Sequence, residues 1–407
     1  MLVRYLKIQY FKAGIKIFLT YFFIFLFFPL AILIIFLRPI IHIKFGLINS
    51  MRFGRFIGSI ANYSKIKRKN NKKLCFYFIG YDKPIINKQI KKMFDRKFKT
   101  FSFSILILLV EKSLKFWSRG NSYSVKAGAP WEQKDEEKVI LDPPISFTNE
   151  ELAYGDLQIK KLNLSKNSSF VCFHNRDSHH LDTHHKYMNW KYHDYRDFSI
   201  ESLRLAAEEF TNSGFHVLRV GSDANEKLSF NNDKIIDYTF SGLRSDFLDI
   251  YLAFRSKAYF GSDSGMWNIF KLFGKPTFFI NSALTQLYDL THVSSGLFIP
   301  KHLFHLKKKK NIGLKEMFDL GMDGFARAEQ FEKCNVKATS NSQQELKDFA
   351  TEIVNYMNGK EIFSLEDRKL QEKFWKICFE HKNGFDEQKL KTQISPSFLR
   401  KNKYLLD

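Results

Sequence analysis

A chain of 407 residues is long enough for two domains of ordinary size. Its make-up, 44% hydrophobic and 26% charged, excludes a disordered or low-complexity protein. The formal charge of +22 points to anionic partners. The basic residues form no zinc-finger spacing and no RNP-like aromatic motif, so no nucleic-acid partner is expected. The charge reads instead as membrane proximity and attraction to phosphorylated ligands, over a background rich in Lys, Asn, Ile and Phe. Cys75, Cys172, Cys334 and Cys378 are scattered without a CxxC pair. That excludes a disulfide framework or a thiolate metal site and fits a reducing compartment.

From Met1 to Lys73 there is no acidic residue; the first is Asp82. Within that stretch Ile17–Leu37 is uninterrupted by charge and matches the ~20 residues that cross a bilayer. Arg4, Lys7, Lys12 and Lys16 precede it; Arg38, Lys44, Arg52 and Arg55 follow. Pro29 falls inside, where it kinks or breaks a helix. A single span, a re-entrant hairpin and an interfacial anchor all fit. A cleaved signal peptide fits least, because the apolar part is too long and no small-residue cleavage site follows. Anionic headgroups favour keeping both basic flanks on the cytoplasmic side. Residues 1–38 are therefore expected to be a membrane anchor, with the remainder in the cytoplasm.

Beyond the anchor the pattern alternates. A strand is expected over Ile40–Phe45, a loop over Gly46–Gly54 and a helix from about Arg55 to Lys65. A basic run, KIKRKNNKK, leads to a strand over Leu74–Gly80, a Lys-rich helix from Pro84 and an apolar run, Phe101–Val110. This βαβ rhythm predicts a first Rossmann-like domain over residues 39–150. Residues 151–169 are expected as a linker, within a polar region that carries Pro143–Pro144 and ends in KNSS.

The second domain, residues 170–407, opens on FVCFHNRD (Phe170–Asp177). A buried strand ends there in His174, Asn175, Arg176 and Asp177, at the edge where open α/β sheets bind ligands. The tip offers a proton carrier, a bidentate fork and a carboxylate; an internally paired surface loop is the plainer alternative. His179, His180, His184, His185 and His193 follow around Asp182. Their spacing matches no tetrahedral ligand set, so no metal is expected. A helix is predicted over Ser199–Ser213, closed by Gly214. His216–Gly221 is a strand that delivers Arg219 and Gly221 to its end. A helix over Ser245–Arg255, a strand over Lys257–Phe260, a helix from Met266 and a strand over Lys275–Asn281 complete the pattern. GSDSG (Gly261–Gly265) lies between strand and helix, where small residues let backbone approach an anion and Ser262 and Ser264 add hydroxyls. The same residues equally suit a helix cap. GSDSG is neither a P-loop nor a GxSxG elbow. Both tips land on one edge of one sheet, which favours a site.

The ordered set FVCFHNRDS, YRDFSIES, HVLRVGS, SDFLDIYLAFRS and YFGSDSGMWNIFKLFGKP resembles a family of glycosyltransferases encoded with bacterial surface-polysaccharide genes. The likeness runs from IHIKFG through FIPKHLFH to ISPSFL and covers most of the chain. It implies an α/β fold of the GT-B type: two facing Rossmann-like domains with parallel sheets, here preceded by the hydrophobic membrane segment, the second domain holding a nucleotide-sugar donor. HNRD is similar to the HxR tip of fucosyltransferases. GSDSG is similar to the Ser/Gly loop before the donor-phosphate helix in that group and in heptosyltransferases. By this resemblance Arg176 binds the donor diphosphate, with Ser262, Ser264 and Gly265 across from it. His174, Arg219, Gly221 and Asp263 complete the donor side. Gly46, Arg52, Gly54 and Arg55 are acceptor-side candidates. Arg55 stands where a His is expected after RxG, so no first-domain His base is assumed.

The implied reaction moves a sugar from a nucleotide-sugar donor to a glycan or lipid-linked acceptor at the cytoplasmic face of the bacterial inner membrane. It needs neither cofactor nor metal, since Arg and N–H donors can stabilise the leaving diphosphate. Asp177 or His174 would be the base. Removing Arg176 is expected to weaken nucleotide binding and leave the fold intact. A non-catalytic membrane-associated nucleotide or polyanion binder is the alternative, as is transfer of a non-sugar group to surface polysaccharide.

Overall fold

The computed structural model describes residues 14–15, 17–69, 74–101, 103–118, 123–125, 142–179, 183, 189–230, 232–287, 296–381 and 392–407. The chain divides into two compact units, Met1–Trp131 with Leu141–Ser146, and Glu132–Ile140 with Phe147–Asp407.

In the first unit two short helices, α1 (Ile17–Leu26) and α2 (Phe28–Leu37), meet at a 52° bend. Pro29 sits in the first turn of α2, where its missing N–H removes one bond that a continuous helix would need. No single helix among the described residues is long and apolar enough to cross a membrane. Strand β1 (His42–Ile48) pairs in parallel with β2 (Cys75–Tyr81), and helix α3 (Phe53–Lys69) makes the crossover. The expected loop at Gly46 is strand instead. The reason is a third segment: Phe45 N–H bonds Tyr123 O, and Val125 N–H bonds Phe45 O, each at 2.8 Å. A Cβ on Gly46 would lie 2.9 Å from that of Val125, so glycine admits the neighbour. Helix α4 (Lys88–Lys97) starts from Asn87, whose Oδ1 accepts from Ile90 N–H. The apolar run at Phe101 lies largely in helix α5 (Ser104–Ser118), which buries Ile107, Val110 and Leu114 at helical spacing. These join Ala31, Ile34 and Phe45 in one core. Among the described residues the first unit thus holds a two-stranded parallel pair and one bridge, a smaller sheet than a Rossmann-like domain implies.

The second unit starts earlier than expected. In place of a linker, Asn149–Lys160 is a helix, α6, begun by a Thr148–Glu151 capping box. It packs on helix α8 (Asp246–Arg255): Tyr251 donates its hydroxyl to Asp156 Oδ1 at 2.7 Å, and its ring lies against Gly155.

Among the described residues seven strands form the main sheet: β3 (Phe170–His174), β4 (His216–Arg219), β5 (Ile235–Asp237), β6 (Ala258–Gly261), β7 (Thr277–Ser282), β8 (Leu297–Pro300) and β12 (Gln393–Ile394). All run parallel, in the order β5-β4-β3-β6-β7-β8-β12. The chain winds outward from β3 through β5, then returns to β6 on the other side of β3. The switch point therefore lies between β3 and β6. Strands β3, β6, β7 and β8 are buried throughout apart from the half-buried His174, as continuous apolar runs covered on both faces must be. Helices α7 (Arg204–Asn212), α8 and α9 (Trp267–Leu272) follow the predicted pattern. Strands β5, β8 and β12 and a small antiparallel sheet, β9 (His302–His305), β10 (Lys310–Asn311) and β11 (Val336–Thr339), went unpredicted. Two further helices, Gln343–Met357 and Leu365–His381, lie near the C-terminus.

Candidate functional site

The parallel register sets His174 of β3 opposite Gly261 of β6, so both motif tips leave the sheet side by side. Ser262 N–H bonds His174 O at 3.0 Å. The approach is so close that a Cβ on Gly261 would lie 2.4 Å from His174 O. Glycine at that position keeps the switch point shut at its base.

The first tip fastens the connections that follow β3 and β4. His174 donates Nδ1–H to Val220 O at 2.9 Å; because a carbonyl only accepts, this fixes the tautomer and leaves the lone pair on Nε2. Burial pulls its pKa down to about 4, so the ring is neutral at pH 7. Asn175 donates to Phe198 O and accepts from Arg219. Asp177 accepts from the backbone N–H groups of His179 and Asn225, one on each oxygen. Arg219, almost fully buried, also bonds Glu226 O and Asp237 at the end of β5. Its guanidinium ties Asn175 to the neighbouring strand and is placed as a brace. Gly221, at φ +155°, passes beside the His174 ring.

Arg176 is 8% exposed and pairs with Asp197, not with the adjacent Asp177. Its Nη1 also donates to His193 O at 3.1 Å. Its Nη2 is buried with no hydrogen-bond partner among the described residues. The expectation that losing Arg176 spares the fold is therefore corrected: the side chain is half of a buried ion pair.

The second tip is built differently. Arg196 holds Asp263, reaching Oδ1 with Nη2 at 2.7 Å and with Nε at 3.2 Å, and the Asp263 carbonyl at 2.8 Å. Asp263 is thus already engaged. Tyr259 donates its hydroxyl to Ser262 O at 2.7 Å. The buried hydroxyls of Ser262 and Ser264 lie beside the Tyr259 hydroxyl and have no other partner among the described residues, and Gly265 is exposed.

A third cation joins them. Lys301, 3% exposed, follows β8 directly and donates Nζ to Asp197 O at 2.7 Å. Burial lowers its pKa to about 8; Asp263 opposes the shift, and Arg176 and Arg196 add to it. Burial and the Arg196 charge likewise bring Arg176 down to about 10, although Asp263 and Asp194 favour its charge. Only Arg196 is raised: burial pulls it down, and Asp263 together with Tyr195 and Tyr259 more than offsets that. The carboxylates of this cluster therefore leave two of its three cations under-compensated, an arrangement suited to a further anion.

Sequence reasoning missed Arg196, Asp197 and Lys301. A signal existed for Lys301: it is the first residue past a buried apolar run, LFIP, and every strand of a parallel sheet delivers that position to the same edge. On the other unit, Arg52, Gly54 and Arg55 lie at the start of α3, just past the carboxyl end of β1, whereas Gly46 is inside the strand. Of the histidine cluster, His180, His184, His185 and Asp182 lie outside the described residues. No group of three potential metal ligands occurs among the described residues.

No protein-family model matches the chain. No curated protein matches it either. Among solved structures it is similar to ADP-heptose LPS heptosyltransferase II of E. coli, at 12% identity over 63% of this chain and 90% of that one, with a TM-score of 0.37. It is also similar to a glycosyltransferase of family 9 from Veillonella parvula, at 10% identity over 77% of this chain and 96% of that one, with a TM-score of 0.44.

Proposed function

We propose that this chain is a glycosyltransferase that moves a sugar from a nucleotide-sugar donor to a cell-surface glycan or lipid-linked acceptor, with the donor diphosphate at the β3/β6 switch point. One observation carries the reading: among the described residues Arg176 Nη2 is buried without a partner, and Ser262 Oγ and Ser264 Oγ are buried with only the Tyr259 hydroxyl beside them, all where two parallel strands end. Leaving such groups unsatisfied costs about 1–3 kcal/mol each, a cost that a bound diphosphate would remove. The motif resemblance supports the same substrate class.

In this reading Arg176 and Lys301 face the leaving diphosphate, and Arg196 keeps Asp263 turned away from it. Negative charge grows on the phosphate as the glycosidic bond breaks, and donors already fixed in place stabilise it without reorganising. That charge comes from side chains, so the reading requires no metal ion. His174, neutral and with its Nε2 lone pair unprotonated, is the candidate base for the acceptor hydroxyl, a weak one because its pKa is about 4. Asp177 is the weaker choice, since both of its oxygens already tether loops. Arg52, Gly54 and Arg55 are the acceptor-side candidates, by their position after β1.

The test is release of nucleotide from a panel of UDP-, GDP-, ADP- and CMP-sugars in the presence of membrane glycan acceptors. Turnover of one donor class is the expected result. Tight binding of a nucleoside diphosphate with no turnover of any donor would leave a binding protein instead. Failure to bind any of them would remove the site itself.

A further inference from the structure

The first unit carries a second unexplained surface. Helices α1 and α2 pack one side onto α5: Ala31 and Ile34 are buried in a core shared with Ile107, Val110 and Leu114. Ser113 on α5 donates its hydroxyl to Ile24 O at 2.9 Å, near the end of α1. The other side of the helix pair is apolar and exposed, including Phe18, Phe22, Leu33 and Phe36. Helix α5 continues the same character: Phe103 and Ile105 at its start are each more than two-thirds exposed. The surfaces join, since Tyr21 and Phe25 of α1 lie in ring contact with Phe116 of α5, and all three are about half exposed. Soluble proteins rarely leave so large an apolar area open to water.

Cations border it. A groove of about 410 Å³ runs between α1 and α5 with Ile17, Tyr21, Ile24 and Phe116 along it and Lys112 and Lys115 among its lining. The two lysines are three residues apart on one helix and both are exposed. An apolar channel beside paired ammonium groups matches an acyl chain that ends in a phosphate headgroup.

The geometry points to a membrane-docking face on the first unit, made by α1, α2 and α5 together, that lies in one leaflet of an anionic phospholipid bilayer. Together the two helices are long and apolar enough to cross, but each arm is ten residues, about 15 Å against a hydrocarbon core of about 30 Å, and the 52° break between them suits a seat within one leaflet. Their inner side is occupied by α5, whose Glu111, Lys112 and Lys115 do not belong in hydrocarbon. Aromatic and aliphatic side chains enter the acyl region while Lys112 and Lys115 meet headgroup phosphates, as in interfacial amphipathic helices. This inference is independent of the transferase reading.

Vesicle flotation of the full-length chain tests it, with phosphatidylcholine alone and mixed with phosphatidylglycerol. The protein should bind the mixed vesicles more tightly. Reversing both charges, Lys112→Glu with Lys115→Glu, should weaken that binding by more than roughly thirtyfold, the loss expected from removing two lysines alone, and leave the weaker binding to neutral vesicles nearly unchanged. Ile105→Asn on α5 should weaken binding about tenfold with an unchanged thermal melt, because the side chain is 76% exposed. Equal binding by the charge-reversed protein, or by Ile105→Asn, would overturn the shared face. A protease-cleavable tag ahead of Met1, tested on vesicles with the cytoplasmic side outward, should be removed from outside; a protected tag would mean a span.

Discussion

The tips that follow β3 and β6 are both short polar runs at the end of a buried strand, yet they are spent in opposite ways. After β3 every side chain from His174 to Asp177 holds part of the scaffold: Val220 O, Phe198 O, Asp197, and the N–H groups of His179 and Asn225. After β6 the serine hydroxyls tie down no loop: they are buried with only the Tyr259 hydroxyl beside them among the described residues. One tip builds the walls and the other leaves donors open. Arg176 belongs to both, with Nη1 committed and Nη2 unpartnered. A polar tip therefore marks a site less reliably than the donors left unmatched within it.

The largest effect should come from the residue that spans the contrast. Arg176→Ala breaks a buried ion pair and should cost about 3 kcal/mol of stability by denaturant titration. It should also weaken nucleoside-diphosphate binding by about tenfold or more. Arg176→Lys keeps the charge but not the fork, and should recover stability more than affinity. A destabilised Arg176→Ala protein that binds normally would assign this residue to the scaffold alone.

Ser262→Ala should do the reverse. Tyr259 keeps its bond to the Ser262 carbonyl without the serine hydroxyl, so removing that hydroxyl should change stability by no more than about 1 kcal/mol, while affinity falls about tenfold. If both tips were merely structural, Ser262→Ala would lower stability and spare binding, the pattern expected of a cap.

A smaller effect separates the tips by pH. The folded pKa of His174 is depressed from 6.5 to about 4. The unfolded chain therefore takes up the proton first as pH falls. The stability tied to neutral His174 is fully present above pH 6.5 and is lost progressively down to about 4. In urea titrations across that window, His174→Asn should flatten the decline. If His174 is the base, the acid limb of the turnover profile should lie near its depressed value, not near 6.5.

Much of this second unit was legible because a parallel sheet writes itself in apolar runs. FVCF, HVLR, AYFG and TFFIN are each bounded by turn signals, and the tips follow by position. The rest was hidden for identifiable reasons. Strands β5 and β12 are three and two residues long, too short for any period to emerge. The helix at Asn149 was obscured by KNSS and the paired prolines around it, although Thr148 and Glu151 spelled a capping box. The partner of Arg176 could not be read locally: Asp177 is adjacent, but its oxygens go to loop backbone, and the pairing acid is Asp197, twenty residues on. Arg196 and Lys301 enter the site only through the fold, from a short turn and from the end of β8.

Lys301 offers the most direct test of the central claim, that an anion sits on this cluster. Its pKa of about 8 makes its charge titratable in an accessible range. Calorimetric titration of the preferred nucleoside diphosphate should be run one pH unit below and one above that value, on the wild-type chain and on Lys301→Met. The wild-type affinity should fall on the alkaline side, where the ammonium is lost, and Lys301→Met should bind weakly with little pH dependence. Equal affinity of the two proteins at both pH values would contradict the placement of the diphosphate at the switch point.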